Sequence, residues 1–338
     1  MKLALFLILS TAALSAAPID GTVVNRTTGK PQPNVILQVV QPGQAGMQTL
    51  ASAKSDATGK FDFPTVPTGN GPRIIQAIYQ GVLYNKVLMP GAPASGLEVD
   101  VYDASAKPGA AKIAQHFILL QPSPNQLSVN EGYIYQGDPK TTFNDPKNGT
   151  LQFYLPPEAA GNVDVSITGP GGMPIKRPAG KTSQPNVYKL DYPIKPGETR
   201  INVSYSLPAS SPVVFSGKIL HKDDPADIVV PDGVTLKGDS VQRLGQEPQT
   251  KATLYRITAP AFKVELEGTG SLQQPQSSEA AAPDDGSGPP GIEVVDPSIY
   301  ASKVLNIPTK YWILALGLAA LAVGSFALSR SSMTAPKK

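Results

Sequence analysis

Apolar and polar residues alternate with a period of two in segment after segment of this chain. Leu97, Val99 and Val101 are separated by Glu98 and Asp100, and Leu151, Phe153 and Leu155 by Gln152 and Tyr154. Val163, Val165 and Ile167 enclose Asp164 and Ser166, while Ile201, Val203, Tyr205 and Leu207 alternate with Asn202, Ser204 and Ser206. Phe262, Val264 and Leu266 do the same with Lys263 and Glu265. Successive side chains of a strand point to opposite faces, so each segment buries one face and wets the other. That is the signature of antiparallel sheets rather than the continuous apolar run of a parallel one. Between the two ends nothing holds a helical period for three turns. The 35 prolines and 31 glycines interrupt short apolar stretches throughout. The pattern therefore predicts an all-β body of two antiparallel β-sandwich domains, or three if a late segment stands apart.

The ends break this pattern. Tyr311 to Leu328 is an uncharged apolar run of eighteen residues, followed by Arg330, Lys337 and Lys338. As a helix it covers roughly 27 Å, about one hydrocarbon thickness, and predicts a transmembrane helix over 311–328 with a tail over 329–338. Leu3 to Leu14, behind Lys2 and ahead of Ser15, Ala16 and Ala17, reads as a signal peptide over 1–17, cleaved near Ser15–Ala17. The signal peptide sets the orientation: domains outside, tail cytoplasmic. Within the anchor Gly317, Ala320, Gly324 and Ala327 form a narrow small-residue face of the kind that lets helices approach. Alanine-rich spans are common, so that face is a candidate for partner-helix packing and no more. Trp312, the only tryptophan, falls at the membrane edge, where an amphipathic ring belongs.

Strands are predicted near Gly21–Asn25, Val35–Val40, Gln48–Lys54, Lys60–Val66, Arg73–Tyr79, Val82–Leu88 and Leu97–Tyr102, making a first domain over 18–105. Glycines mark its turns at Thr28-Gly29-Lys30-Pro31, Asp56-Ala57-Thr58-Gly59 and Pro67-Thr68-Gly69. After the Pro/Gly/Ala stretch 104–111, a second β region over 112–270 reads as an immunoglobulin-like sandwich. Its segment 227–268 either completes that sandwich or forms a satellite. From Ser271 to Gly291 large apolar residues all but vanish, which predicts a disordered tether whose 21 residues put its ends about 25 Å apart. The linker and juxtamembrane stretch together span 271–310.

The first domain resembles the regulatory domain of the D-type carboxypeptidases, a transthyretin-like sandwich grouped with carbohydrate-binding-like folds. The residues that carry the likeness are Gly21-Thr22-Val23-Val24-Asn25, then Thr28-Gly29-Lys30-Pro31 with Asn34-Val35, then Asp56-x-x-Gly59-Lys60-Phe61-x-Phe63. It covers about residues 19–105. In that family the domain is an accessory module, so the resemblance implies a fold and a binding or spacer role, not catalysis.

Charge and composition narrow the function. The formal +3 is misleading: leaving out Lys2, Arg330, Lys337 and Lys338 leaves 25 basic against 26 acidic residues. A neutral exported body has no field to recruit nucleic acid. The absence of cysteine in a secreted chain of this length points to a bacterial envelope, and it excludes a lipoprotein anchor, a thiol nucleophile and Cys-based metal sites. Of the two histidines, His116 sits beside Phe117 and Ile118 and reads as strand packing. His221 opens His221-Lys222-Asp223-Asp224-Pro225, where the carboxypeptidase His-x-x-Glu pairing finds Asp224 and no later histidine follows. The acidic group Asp223, Asp224 and Asp227 reads as a solvated loop before it reads as a calcium site. No nucleophile elbow, phosphate loop or dinucleotide fingerprint is present, and Gly169-Pro170-Gly171-Gly172 is a tight turn. No catalytic residue, metal or cofactor is expected.

Aromatic pairs are the remaining candidates. Tyr133 and Tyr135 share one strand face, and Tyr79 and Tyr84 flank the Gln80-Gly81 turn, an arrangement suited to sugar stacking. Ordinary sandwich packing is the competing explanation, and the lack of tryptophan outside the membrane run counts against a glycan role. The sequence is thus read as a non-catalytic β-module protein in the bacterial cytoplasmic membrane, binding or scaffolding another envelope protein. Carbohydrate or cell-wall binding through the first sandwich is the alternative, and an unrecognised hydrolase comes third.

Overall fold

The computed structural model describes residues 16–272 apart from 44–45, 68–70, 108, 160–162 and 223–225. The tether, the transmembrane run with Gly317, Ala320, Gly324 and Ala327, and all of the signal peptide but Ala16 and Ala17 lie outside the described residues. Within them the protein is all-β, with a single 3-10 turn at Pro157–Ala159 and no helix long and apolar enough to cross a membrane.

The chain opens with nine strands: β1 (Ala16–Asn25), β2 (Lys30–Pro31), β3 (Ile36–Gly43), β4 (Gly46–Lys54), β5 (Lys60–Pro67), β6 (Arg73–Tyr79), β7 (Val82–Leu88), β8 (Leu97–Val101) and β9 (Asp103–Ser105). Next come β10 (Ala111–Ser123), β11 (Gln126–Gly137), β12 (Thr141–Phe143), β13 (Leu151–Tyr154), β14 (Asp164–Thr168), β15 (Ile175–Lys176), β16 (Gly180–Lys181), β17 (Val187–Leu190) and β18 (Gly197–Pro208). β19 (Val213–Lys218), β20 (Ala226–Val230), β21 (Thr235–Lys237), β22 (Val241–Gln246), β23 (Thr253–Ile257) and β24 (Ala261–Glu267) follow.

Two compact units result, and they are discontinuous in sequence. Among the described residues, unit 1 takes those up to 111 together with 137–150 and 191–197; unit 2 takes 112–136, 151–190 and 198–272. The expected single boundary near 105–112 is therefore only the first of several: the chain leaves unit 2 twice and returns to unit 1.

In unit 1, β1 pairs β2 and β5 antiparallel and β8 in parallel, while β4-β3-β6-β7 form a second sheet. The two sheets share one core. Ile19, Val23, Phe61, Phe63, Val99 and Val101 come from the first; Leu37, Val39, Ile75, Ala77, Val82 and Tyr84 come from the second. The two-residue period explains the choice, since the intervening residues face outward. The predicted Asp56–Gly59 turn forms around Asp56 Oδ1, which accepts from the Thr58 and Lys60 amides and the Thr58 hydroxyl. Gly59 has φ +79°, and a Cβ there would come within 2.7 Å of Pro31, so only glycine fits. The returning segments add β12, paired in parallel with β9, and the bridge from Phe143 to Ile194.

Unit 2 is built on an eight-stranded sheet in the order β15-β14-β18-β11-β10-β20-β23-β22. Two small sheets, β19-β24-β21 and β13-β17-β16, belong to the same unit. Ile201, Val203, Tyr205 and Leu207 of β18 are buried, and Thr199 is inaccessible beside them. The segment 227–268 thus completes this unit: β20, β22 and β23 widen the large sheet, and β21 and β24 join β19. The pairing of β10 with β20 is parallel, from His116 opposite Ala226 to Leu119 opposite Val229. With β1/β8 and β9/β12 it departs from the purely antiparallel expectation.

Candidate functional site

Strand β11 carries different chemistry on its two faces. Glu131, Tyr133 and Tyr135 point one way and Gly132 and Ile134 the other. On the Glu131 face lies a buried polar cluster. His116 Nε2 lies 2.8 Å from Glu131 Oε1, and its Nδ1 lies 2.8 Å from His221 Nε2. The Tyr133 hydroxyl donates to the same Glu131 oxygen, and its ring stacks on His116 with centroids 4.1 Å apart. His116 and Glu131 are 3 % and 4 % exposed. A carboxylate this deep needs donors on its oxygens, and His116 and Tyr133 supply two. Burial, then the adjacent Glu131 charge, holds the Tyr133 phenol well above its ordinary value; Tyr205 on β18 is raised in the same way. Both ring nitrogens of His116 are engaged inside the protein, so it serves the core as expected, though through hydrogen bonds rather than apolar contact alone. The two histidines, 105 residues apart, meet.

The opposite face holds a groove of about 520 Å³. Its floor is Phe117 of β10 laid over Gly132: a Cβ at 132 would stand 2.2 Å from the Phe117 ring. Ile134 continues the floor along β11, and Asn202 and Arg200 line it from β18. Over one side runs the β14–β15 connection, Gly169-Pro170-Gly171-Gly172, where the Gly172 amide donates to the Gly169 carbonyl at 3.1 Å. That is the tight turn expected from sequence. The one ion pair at the rim joins Arg200 Nε to Glu198 Oε1 at 2.6 Å. Mostly apolar, with a few polar groups at its margin, the groove suits an apolar segment. Tyr133 and the Gly169–Gly172 turn were the parts of it that stood out in the sequence; the groove as a whole did not, because β10, β11, β18 and the β14–β15 connection each supply a share.

Of the aromatic candidates Tyr133 borders the groove, and Tyr79, Tyr84 and Tyr135 are not among its lining residues. Tyr84, Tyr133 and Tyr135 are 5, 2 and 4 % exposed, so their ring faces are occupied by the protein. The Tyr84 hydroxyl donates to the Tyr102 carbonyl and lies 2.9 Å from Thr142, and Lys195 sits 5.3 Å above its ring. Burial lowers the Lys195 ammonium below its ordinary value. Tyr79 is half-buried and donates to Asp103 at 2.9 Å. The four do not form a stacking platform: packing claims three of them and a hydrogen bond the fourth. Asp227 is held by Arg256 at 2.8 and 3.0 Å, while Asp223 and Asp224 lie outside the described residues. Among the described residues no group of three or more His, Asp or Glu is placed to hold a metal ion. A second exposed apolar feature is the cross-strand row Ile36, Ile78 and Leu83 on unit 1, at 49, 38 and 40 % exposure.

No protein-family model matches the chain, and no curated protein matches it. Structural neighbours include a mutant M1 zinc metallopeptidase from Deinococcus radiodurans, 14 % identical over 48 % of this chain and 43 % of that one, with a TM-score of 0.26. The M1 zinc metallopeptidase of the same organism matches at 12 % identity, 46 % and 42 % coverage and a TM-score of 0.24. The chain spans less than half the length of these proteins. Likenesses this slight carry no argument about activity.

Proposed function

We propose that this is a non-catalytic, membrane-anchored extracytoplasmic protein whose β-modules bind or scaffold another component of a bacterial envelope. On this reading unit 1 is the transthyretin-like module and unit 2 the immunoglobulin-like one. A single anchoring helix would keep both near the membrane, where tethering raises the effective concentration for a neighbour. The observation that carries the reading is the 520 Å³ groove, floored by Phe117 and Ile134 and bordered by Tyr133, with the Arg200–Glu198 ion pair at its rim. A site so furnished suits an apolar segment.

A photo-crosslinking residue at Asn202 tests this in intact cells, with the same residue at exposed Lys181 as control. A discrete adduct to another envelope protein from Asn202 alone is the expected result. Identical adduct patterns from both positions, or adducts to no other protein, would remove the groove as a contact surface.

A further inference from the structure

We infer that the groove has a resident occupant in the free protein: the chain's own segment Ile292-Glu293-Val294-Val295. This rests on the binding role proposed above and adds a competitor for the same surface.

The argument starts where the described chain ends. The Gly270 amide donates to the Pro122 carbonyl, near the end of β10. Two residues on, Leu272 is buried against Leu119, Val229 and Ala252, with Phe117 packed on the same cluster. The chain after β24 therefore runs back along β10 from Pro122 towards Phe117. Phe117 is also the groove floor. Leu272 is thus the first apolar residue of the tail to seat on this face, and the chain enters the tether one ring away from an unfilled apolar trough.

The tether's sequence supplies the second half. From Gln273 to Gly291 there is no large apolar residue, and the first that follow are Ile292, Val294 and Val295. In an extended strand Ile292 and Val294 face the same side, with Glu293 turned away. The next apolar residues, Ile299 and Tyr300 and then Val304 to Ile307, lie progressively nearer the apolar run that begins at Tyr311. Twenty residues of flexible chain reach about 25 Å, against roughly 10 Å across two strands. At the millimolar effective concentration of such a tether, an intrinsic Kd of about 1 mM fills the groove half the time. A partner arriving by diffusion at micromolar concentration would need an affinity about a thousandfold higher to do as well. The occupant shortens the tether while it is docked and sets the threshold that a partner must exceed.

The chain has no cysteine, which makes the test direct. Asn202→Cys with Val294→Cys is oxidised in the purified full-length protein in detergent, beside Asn202→Cys with Ala281→Cys. Position 281 is nearer along the chain, so an undocked tether favours the control pair. Docking predicts that the 202–294 disulfide forms about tenfold faster, within one chain, and that adding Ile292→Asp abolishes the advantage. A faster 202–281 pair, equal rates, or disulfide-linked dimers would overturn the inference. Each variant is checked by its melting curve, so misfolding is seen separately. Because the purified protein contains no partner, this failure is distinct from loss of the Asn202 adduct in cells, which would sink the binding role itself.

Discussion

Replacing Glu131 with leucine removes the one acceptor shared by two buried donors. His116 Nε2 at 2.8 Å and the Tyr133 hydroxyl both use Glu131 Oε1, and neither has water to turn to at 3 % and 2 % exposure. Each orphaned donor costs about 1–3 kcal/mol, so the pair costs roughly 2–6. The added methyl groups return about 1–2 kcal/mol of apolar burial. The net loss centres on about 2–3 kcal/mol, a drop of roughly 5–10 °C in melting temperature. Scanning calorimetry of the purified protein reads it. Glu131→Gln, which keeps an oxygen in place, falls less. The discriminating variant is Glu131→Leu with Tyr133→Phe: deleting the stranded hydroxyl restores about 1 kcal/mol, so the double mutant is more stable than the sum of the singles. A Glu131→Leu protein within about 0.5 kcal/mol of the parent, or a strictly additive double mutant, would show that this oxygen does not hold the cluster together.

Other outcomes follow from the same geometry. Gly132→Ala drives a Cβ into the Phe117 ring at 2.2 Å, and lifting that ring costs about 1–3 kcal/mol, read as a lower melting temperature; an unchanged melt refutes the packing. Tyr133 and Tyr205 have phenols raised by burial, so the stability they contribute is fully present below their unfolded value near 10 and is lost as pH rises beyond it. Tyrosinate absorbance should therefore show two phenols that ionise only with alkaline unfolding; smooth titration of all tyrosines in the folded protein contradicts this. Ala16 and Ala17 pair with Pro67 and Val66, so on the proposed signal-peptide reading a cut before Ala16 would leave that strand whole. Intact-mass analysis giving Pro18 or Ile19 as the first residue would refute it.

Much of unit 1 was legible because its strands are short, half-buried and bounded by specified turns. Predicted Arg73–Tyr79 and Val82–Leu88 match β6 and β7 residue for residue, since Gln80 and Gly81 both adopt positive φ between alternating runs. The returns of 137–150 and 191–197 were not legible. β12 is three residues long and pairs in parallel with β9, and three residues are too few to show a period. The tyrosines show the limit of the two-residue rule: it places Tyr133 and Tyr135 together but does not say which face is covered. Glu131, standing charged in an apolar alternation, was the one local sign of the polar cluster. Its partner His116 comes from β10, and His116 in turn meets His221, from a connection ninety residues beyond Glu131, a meeting that only sheet order brings about.

The cluster and the groove are not independent features, because they occupy alternate residues of the same two strands. A slip of one residue between β10 and β11 would exchange their faces, turning Gly132 and Ile134 to the side of the polar cluster and Glu131 to the side of the groove. The apolar pattern of β11 resists such a slip weakly, since its Glu131 and Gly132 are poor strand residues on either side. The directional bond that Glu131 Oε1 accepts from His116 Nε2 resists it strongly, for it is satisfied in one register only. In that register Phe117, next to His116, lies over Gly132, next to Glu131. The buried carboxylate thus fixes the floor of the groove from the far side of the sheet. Glu131→Leu should then loosen the groove as well as the fold. In the folded fraction of that variant, the 202–294 crosslinking rate should fall towards that of the 202–281 control, although residue 131 is turned away from the occupant.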